Sequence, residues 1–430
     1  MSGAAEARRA DPTLEIVVLE RGPDVSYAVC GIPYWIGGEV GGADDLVAHD
    51  PAYFRERRGI DVRTGAEAVA IDPEARTVRT GGGEEIGYDA LLVATGARPV
   101  RPTVPGHRAD GVLVLRDLRS ARALQERLER RDVRRAVLVG LGPIGVEMAE
   151  ALRRRGIAVC VVEQTPRALA LLAEPVAEPV LAALAEGGVE VRAGSSLERI
   201  EAGLDGPVVR AEGRDVDCDL ILLGTGVAPR AELAAAAGCR LGPRGAIAVD
   251  RRGRTSVPGI WAAGDCATAW HRVLERDVWM PLATTANRQG RVAARDIAGH
   301  PARFAGVLGS WVSACFGVGF GATGLDEAAA AEAGFRPRAL HRTGRDRSGY
   351  IPGARGVVVH LVWDEPTGRL LGAQVAGAEV STRLHTLSVA VGAGLTVGEL
   401  ASADLGYVPP LSPLRDPVEL AAAAAVGDAP

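Results

Sequence analysis

The sequence predicts an α/β protein with two dinucleotide-binding units and a C-terminal α+β domain. Three observations carry this reading. Residues 136 to 163, "AVLVGLGPIGVEMAEALRRRGIAVCVVE", run in the order strand, glycine turn, helix, strand. The N-terminus, "MSGAAEARRADPTLEIVVLE", repeats the second half of that order. Two later stretches, "YDALLVATGARP" at 88 to 99 and "CDLILLGTGVAPR" at 218 to 230, each place an (A/G)TG turn after an apolar strand and close one unit. Both units are therefore Rossmann-like.

From the N-terminus, Arg8 and Arg9 match the helix-ending Arg153 and Arg154, and Glu20 matches Glu163. Counted back from Arg8, Met1 falls opposite Val146, one position after Gly145, so the first unit is expected to be N-terminally truncated, without its first strand and glycine loop. Leu14 to Glu20 reads as a buried strand. It leads into "SYAVCGIPY", which sets Cys30 after a strand and before a helix start. Gly140, Gly142 and Gly145 form the GxGxxG turn that lets backbone approach a pyrophosphate at a helix N-terminus. Glu163 ends the next strand, where it accepts hydrogen bonds from ribose hydroxyls and repels a 2′-phosphate. NADH is expected over NADPH, and Arg167 nearby keeps NADPH possible. "GIWAAGDCA", residues 259 to 267, is a short strand ending at Gly264 and Asp265, which suits a ribityl or ribose hydroxyl and equally a structural turn.

From about residue 306 the pattern changes. "TGLDEAAAAEAGF" predicts a capped helix from Thr323 to Gly334, followed by the strands "RPRALHRTG", "GVVVHLVWD" and "RLLGAQVAGA" and the long helical stretch "STRLHTLSVAVGAGLTVGELAS". No phosphate loop occurs there, which leaves a packing or dimerisation role.

Composition narrows the chemistry. All 49 basic residues are arginine, so lysine Schiff-base catalysis is excluded. A net charge of -5 gives no field to hold nucleic acid or an anionic membrane, and points to small-molecule partners. Six cysteines, at 30, 160, 218, 239, 266 and 315, form no CxxC and no zinc-ligand spacing; no metal site is expected, and a reducing cytoplasm is. No apolar run approaches the roughly 18 residues of a membrane helix, and the N-terminus does not read as a signal peptide.

"SYAVCGIPYWIGG", "ATGARP", "GLGPIGVE", "GIWAAGDCA", "PLATTANRQGR" and "YVPPLSPLRDP" together resemble the pyridine nucleotide-disulfide oxidoreductases, nearest their single-cysteine branch of coenzyme A disulfide reductases and NADH oxidases/peroxidases. The resemblance implies an FAD domain over 1 to 107 and 230 to 304, an NAD(P) domain over 108 to 229 and a dimerisation domain over 305 to 430. It implies FAD at Glu20, Arg21, Thr95, Gly96, Gly264, Asp265 and Ala283. NADH is assigned to Gly140, Gly142, Ile144, Gly145, Glu163 and Gly226, and the substrate to Ser26. A homodimer is implied, with Tyr407 reaching across it towards the cysteine-bound thiol and Tyr350 as a second, weaker match. Ala314 and Ala322 stand where the family often has basic residues.

NADH would then pass hydride to the flavin, which reduces oxidised Cys30. The nearest following cysteine is Cys160, so Cys30 must form a mixed disulfide with a small thiol, such as that of coenzyme A disulfide or a persulfide. The alternatives are an NADH oxidase or peroxidase working through a Cys30 sulfenic acid, and a flavin-free nucleotide-binding or redox-sensing protein. The chain ends in "AAAAAVGDAP", with no rhodanese-like extension, which makes coupled persulfide chemistry less expected. The other five cysteines read as small buried hydrophobes, with Cys266 singled out for its place beside Asp265.

Overall fold

The computed structural model describes residues 1–130, 132–203 and 206–427. One unit comprises Met1–Val100, Val114–Glu129 and Gly226–Val307, and the other Arg101–Leu113, Arg130–Thr225 and Leu308–Pro430. This differs from the four boundaries drawn from sequence, whose last segment also includes residues 428–430, outside the described residues. The C-terminal domain groups with the glycine-loop unit, and Val114–Glu129 moves to the first unit. That move has a physical cause. The helix Leu118–Glu129 buries Leu118, Ala121, Leu124 and Leu128 along one face, and its Arg122 forks onto Asp24 at 2.7 and 2.9 Å.

In the first unit the strand Ile16–Glu20 pairs in parallel with Ile60–Thr64, and Leu91–Val93 pairs in parallel with Ile260–Ala262. The expectation of a buried N-terminal strand is corrected here, because all five residues of Ile16–Glu20 are only half-buried. Among the described residues the strand is paired along one edge alone. The helix Ser2–Ala10 ends in Arg8 and Arg9, as expected, and packs on the helix Ala283–Ile297. Gly3 makes this possible: a Cβ there would lie 2.9 Å from Leu92 Cδ2 and 3.1 Å from the Gly290 carbonyl oxygen.

The second unit holds a five-stranded sheet ordered Val189–Ala193, Ala158–Glu163, Arg135–Val139, Leu220–Leu223, Val112–Val114. Its central strands are near-continuous apolar runs, as a sheet covered on both faces requires. The helix Pro143–Arg154 buries Val146, Met148, Ala149 and Leu152. A second, antiparallel sheet is ordered Trp311–Cys315, Val318–Gly324, Leu370–Gly377, Gly356–Asp364, Pro337–Arg345. It is tied to the nucleotide half by Ser313 Oγ on Glu147 Oε1 at 2.8 Å and by Phe316 N on Glu150 Oε2 at 2.9 Å. Burial pushes the Glu147 carboxyl up, and the serine hydrogen bond opposes that.

Two helix expectations are corrected. Thr323 lies within the strand Val318–Gly324, and the helix is Glu327–Glu332, capped by Asp326 on Ala329 N at 2.7 Å. Gly324, at φ +75°, turns the chain out of the strand, so the aspartate is the first residue placed to cap. The long helical stretch is two helices, Val380–Ala393 and Val397–Ala401. Gly394 ends the first in the left-handed region, and a Thr396–Glu399 capping box starts the second.

Arg383, 5 % exposed, joins three parts of this domain. Its Nη2 donates to the Asp346 carbonyl at 3.0 Å and to Asp416 Oδ2 at 2.8 Å. Arg383→Ala is expected to lower the unfolding free energy by about 3 kcal/mol in urea titrations, because Asp416 loses its buried partner.

Candidate functional site

The Cys30 loop is fixed at both ends. Asp24 is forked by Arg122, Ser26 holds a positive φ of 54°, Ala28 N donates to Leu46 O at 2.8 Å, and Ala48 N donates to Ser26 O at 2.9 Å. Cys30 sits in the 3-10 turn Val29–Gly31, directly before the short helix Ile32–Ile36. Gly31 has no room for a side chain, since a Cβ would overlap Leu46 Cδ2. Cys30 is exposed and the other five cysteines are buried. Burial pushes the thiol of Cys160 up to about 11 and those of Cys218 and Cys315 up to about 12. Cys266 is raised by burial too, and its Sγ lies against the carbonyls of Ala263 and Val93 at 3.3 and 3.6 Å, a packing role.

Around the two TG turns the first unit gathers arginines. Thr95 Oγ1 donates to Arg230 O at 2.5 Å, and Arg230 N donates to Gly96 O at 2.9 Å. Arg116 Nε and Arg230 Nε both donate to the Ala97 carbonyl at 3.3 Å. Arg116 Nη2 also pairs with Asp265 Oδ2 at 2.7 Å. Burial, and then the positive charge of Arg21, hold the Arg230 guanidinium below its ordinary range, with Arg116 adding to the effect and Glu232 opposing it. Arg116 and Arg230 are guanidinium donors of the kind that would suit a phosphate of FAD, and Asp265, Glu232 and Asp117 supply negative charge beside them.

Glu20, Gly264, Asp265 and Ala283 are the other residues expected to hold FAD. Glu20 Oε1 accepts from Gly22 N at 2.7 Å, and its other oxygen carries no hydrogen bond among the described residues. Gly264 N donates to Gln289 Oε1 at 3.0 Å, and Trp279 Nε1 donates to Asp265 O at 2.8 Å. Ala283 is the exposed first residue of a helix of 15 residues. Arg116 and Arg230 were missed by the sequence reading; the only available signal was that Arg230 ends "LLGTGVAPR".

The glycine turn of the second unit is built as expected. A Cβ on Gly140, at φ +101°, would lie 2.6 Å from Gly224 O, and one on Gly145 would overlap Gly140 O. Nothing lies within 4 Å of a Cβ on Gly142, so backbone there is open to a pyrophosphate. Glu163 does more than await a ribose: Oε2 accepts from Leu141 N, and Oε1 from Thr165 N and Oγ1, each at 2.8 Å. Ile144 is half-exposed beside the turn. Arg167 is engaged by the carbonyls of Leu172 and Ala170 in its own loop. Gly226, at φ +97°, belongs to the first unit, where its carbonyl accepts from Val100 N at 3.0 Å.

Tyr350 and Tyr407 both lie in the second unit, near enough that each shifts the other's ionisation, Tyr350 upward and Tyr407 downward. Both phenols are exposed, at 73 % and 45 %, and Val408, Leu411 and Leu414 around Tyr407 are exposed as well. Glu20, Arg21, Ser26, Cys30, Thr95, Gly96, Gly226, Gly264, Asp265 and Ala283 all fall in the first unit, and the glycine turn with Glu163 and the tyrosine pair fall in the second.

The family described as pyridine nucleotide-disulphide oxidoreductase matches residues 1–290, and its dimerisation domain matches residues 313–416. An NADH oxidase of Methanocaldococcus jannaschii is 34 % identical over 98 % of this chain and 95 % of its own. An NAD(P)H coenzyme A polysulfide/persulfide reductase of Pyrococcus horikoshii is 35 % identical over 97 % of this chain and 94 % of its own. The solved NAD-dependent persulfide reductase of A. fulgidus superposes with a TM-score of 0.96 at 36 % identity, covering 99 % of this chain and 81 % of that one.

Two variants probe the cofactor seats. Gly145→Ala is expected to weaken NADH binding at least tenfold in fluorescence titration, because the new methyl forces the turn open. Arg116→Ala is expected to weaken FAD binding by about 10- to 100-fold, read by the change in flavin fluorescence on titration of FAD with protein.

Proposed function

The chain belongs to the pyridine nucleotide-disulphide oxidoreductase family, and on that premise we propose that it uses NADH to reduce coenzyme A disulfide or a related low-molecular-weight disulfide or persulfide. It is an oxidoreductase whose family cofactors are FAD and NAD(P)H. The observation that carries the substrate reading is the exposure of Cys30 on a braced loop while the other five thiols are buried. FAD, when bound, supplies the conversion of a hydride donor into an electron pair usable at sulfur.

The chain's own residues supply the rest. The Cys30 thiolate attacks one sulfur of the disulfide, the S–S bond breaks, and one substrate thiolate leaves as a mixed disulfide forms on Cys30. Tyr407 gives its phenolic proton to a departing thiolate. Ser26, at the start of the loop, lies where a substrate polar group can be met. The carboxylate of Glu163, set at the end of its strand, favours NADH over NADPH. We infer a homodimer working in a reducing cytoplasm, supported by the dimerisation domain and by the exposed apolar residues around Tyr407. No helix among the described residues is long and apolar enough to cross a membrane.

The test is NADH oxidation by FAD-loaded protein with coenzyme A disulfide, hydrogen peroxide or oxygen as acceptor. Disulfide-dependent turnover is expected to dominate, Cys30→Ser to reduce it to background, and Tyr407→Phe to slow it by about 10²-fold. Faster turnover with oxygen or peroxide would replace this reading with that of an oxidase or peroxidase. Protein that stays colourless with added FAD would point to a flavin-free binding role.

A further inference from the structure

Three segments of the first unit line an open cavity of about 410 Å³: the turn at 249–252, the hairpin of Ala269–His271 and Arg276–Val278, and Arg303 beyond the helix Ala283–Ile297. None of its lining residues is among those assigned to FAD or NADH. Backbone hydrogen bonds tie the segments together. Phe304 N donates to Arg251 O at 2.7 Å, Val307 N to Trp270 O at 2.8 Å, and Arg272 N to Val307 O at 2.9 Å. Asp250 closes the turn on itself, its Oδ1 accepting from Arg252 N at 2.8 Å and Arg254 N at 3.0 Å. The walls are set before anything binds, which lowers the ordering cost of a ligand. The volume is that of a small-molecule site.

Arg251, Arg252 and Arg303 line the cavity, and none of them donates a hydrogen bond to a carboxylate among the described residues. Arg251 is oriented by carbonyls, through Nε on Phe304 O at 3.0 Å and Nη2 on Ala305 O at 3.4 Å, which hold the group without cancelling its charge. Its Nη1 is left for a ligand. Arg252 reaches Asp296 only at 3.7 Å, and that carboxylate is already taken by Arg254 at 2.6 and 3.0 Å and by Trp261 Nε1 at 3.0 Å. Arg303 is exposed, with no hydrogen bond or ion pair among the described residues. Two carboxylates line the cavity as well: Asp250, bonded within its own turn, and Asp277. Three guanidiniums against two carboxylates leave positive charge in excess.

The hairpin wall differs from the other two. Asp277 is the cross-strand partner of Trp270, so the carboxylate and the indole share one face of the hairpin. Asp277 has no hydrogen bond or ion pair among the described residues, and partial burial pushes its carboxyl above the ordinary range with no cation to oppose it. Converging guanidiniums suit the oxygens of a phosphate monoester. An indole suits a planar ring, and an unpaired carboxylate suits an amino donor. The carboxylate also repels phosphate, which decides the direction in which such a ligand lies. Bare phosphate would leave Trp270 and Asp277 unused.

We propose that this cavity is a binding site for a nucleoside 5′-monophosphate, with the phosphate on Arg251, Arg252 and Arg303, the base against Trp270 and an amino group of the base on Asp277. Binding is non-covalent, and it does not depend on the sulfur chemistry assigned to Cys30.

The experiment is calorimetric titration of the full FAD-loaded chain, saturated with NAD⁺ so that the other nucleotide seats are filled, with AMP, adenosine and ribose 5-phosphate as probes. AMP is expected to bind once per chain and at least tenfold more tightly than either fragment. Arg303→Ala, a change at an exposed side chain, is expected to weaken AMP about tenfold and to leave adenosine unchanged. Asp277→Ala, also at an exposed position, is expected to weaken AMP and adenosine and to leave ribose 5-phosphate unchanged. Three outcomes overturn the proposal: no AMP binding at millimolar concentration, AMP binding unmoved by Arg303→Ala, or ribose 5-phosphate binding as tightly as AMP. Turnover at Cys30 is not the readout, so each of these leaves the reductase reading intact.

Discussion

The Ala97 carbonyl accepts from two guanidinium groups at once, Arg116 and Arg230, each at 3.3 Å, and separate stretches of the first unit are organised around that shared acceptor. Two like charges this near one another repel; Asp265 offsets Arg116 at 2.7 Å, and Glu232 and Asp117 act on Arg230. Three distant stretches must converge to build this. The strand Ala97–Pro99 pairs with Val227–Pro229, which brings Arg230 in, and Arg116 is set by Ser120 and Asp117 at the start of its helix. For the same reason Val114–Glu129 belongs with the flavin side of the chain, although it separates the two nucleotide motifs in sequence.

A second division runs through the sulfur chemistry. A thiol raised to about 12, as at Cys218 and Cys315, is thiolate in only about one molecule in 10⁵ at neutral pH. Since thiolate is the nucleophile, those sites are silent towards disulfides and peroxide alike. The burial of every other cysteine leaves Cys30 as the exposed thiol.

What was legible in the sequence is what acts through neighbours in the chain. The glycine turn, the strand ending at Glu163, the TG turns and the Cys30 loop each need particular residue types at fixed short spacing, and each stands where it was expected. The Thr323 cap failed because Asp326, past the glycine that ends the strand, is the better-placed acceptor. The strand Ile16–Glu20 was read as buried from its apolar run, but burial depends on what pairs with the other edge. Arg116 and Arg230 were illegible for one reason: their partners lie in other segments, Asp265 being 149 residues from Arg116 and Ala97 being 133 from Arg230. Glu163 was legible as an acid at a strand end, but its hold on Leu141 across the turn was not.

The absence of lysine, which reads as a compositional accident, has a consequence in three dimensions. Arg116 binds a carbonyl through Nε and a carboxylate through Nη2; Arg122 forks onto both oxygens of Asp24; Arg383 meets Asp416 through Nε and Nη2 while also reaching the Asp346 carbonyl. Each arrangement needs donors at fixed separation in one plane, which an ammonium cannot present. Lysine at any of these positions would keep the charge and lose the geometry. The chain's cations are therefore braces as well as charges, and they stand beside the flavin seat, the Cys30 loop and the loops bearing the tyrosine pair.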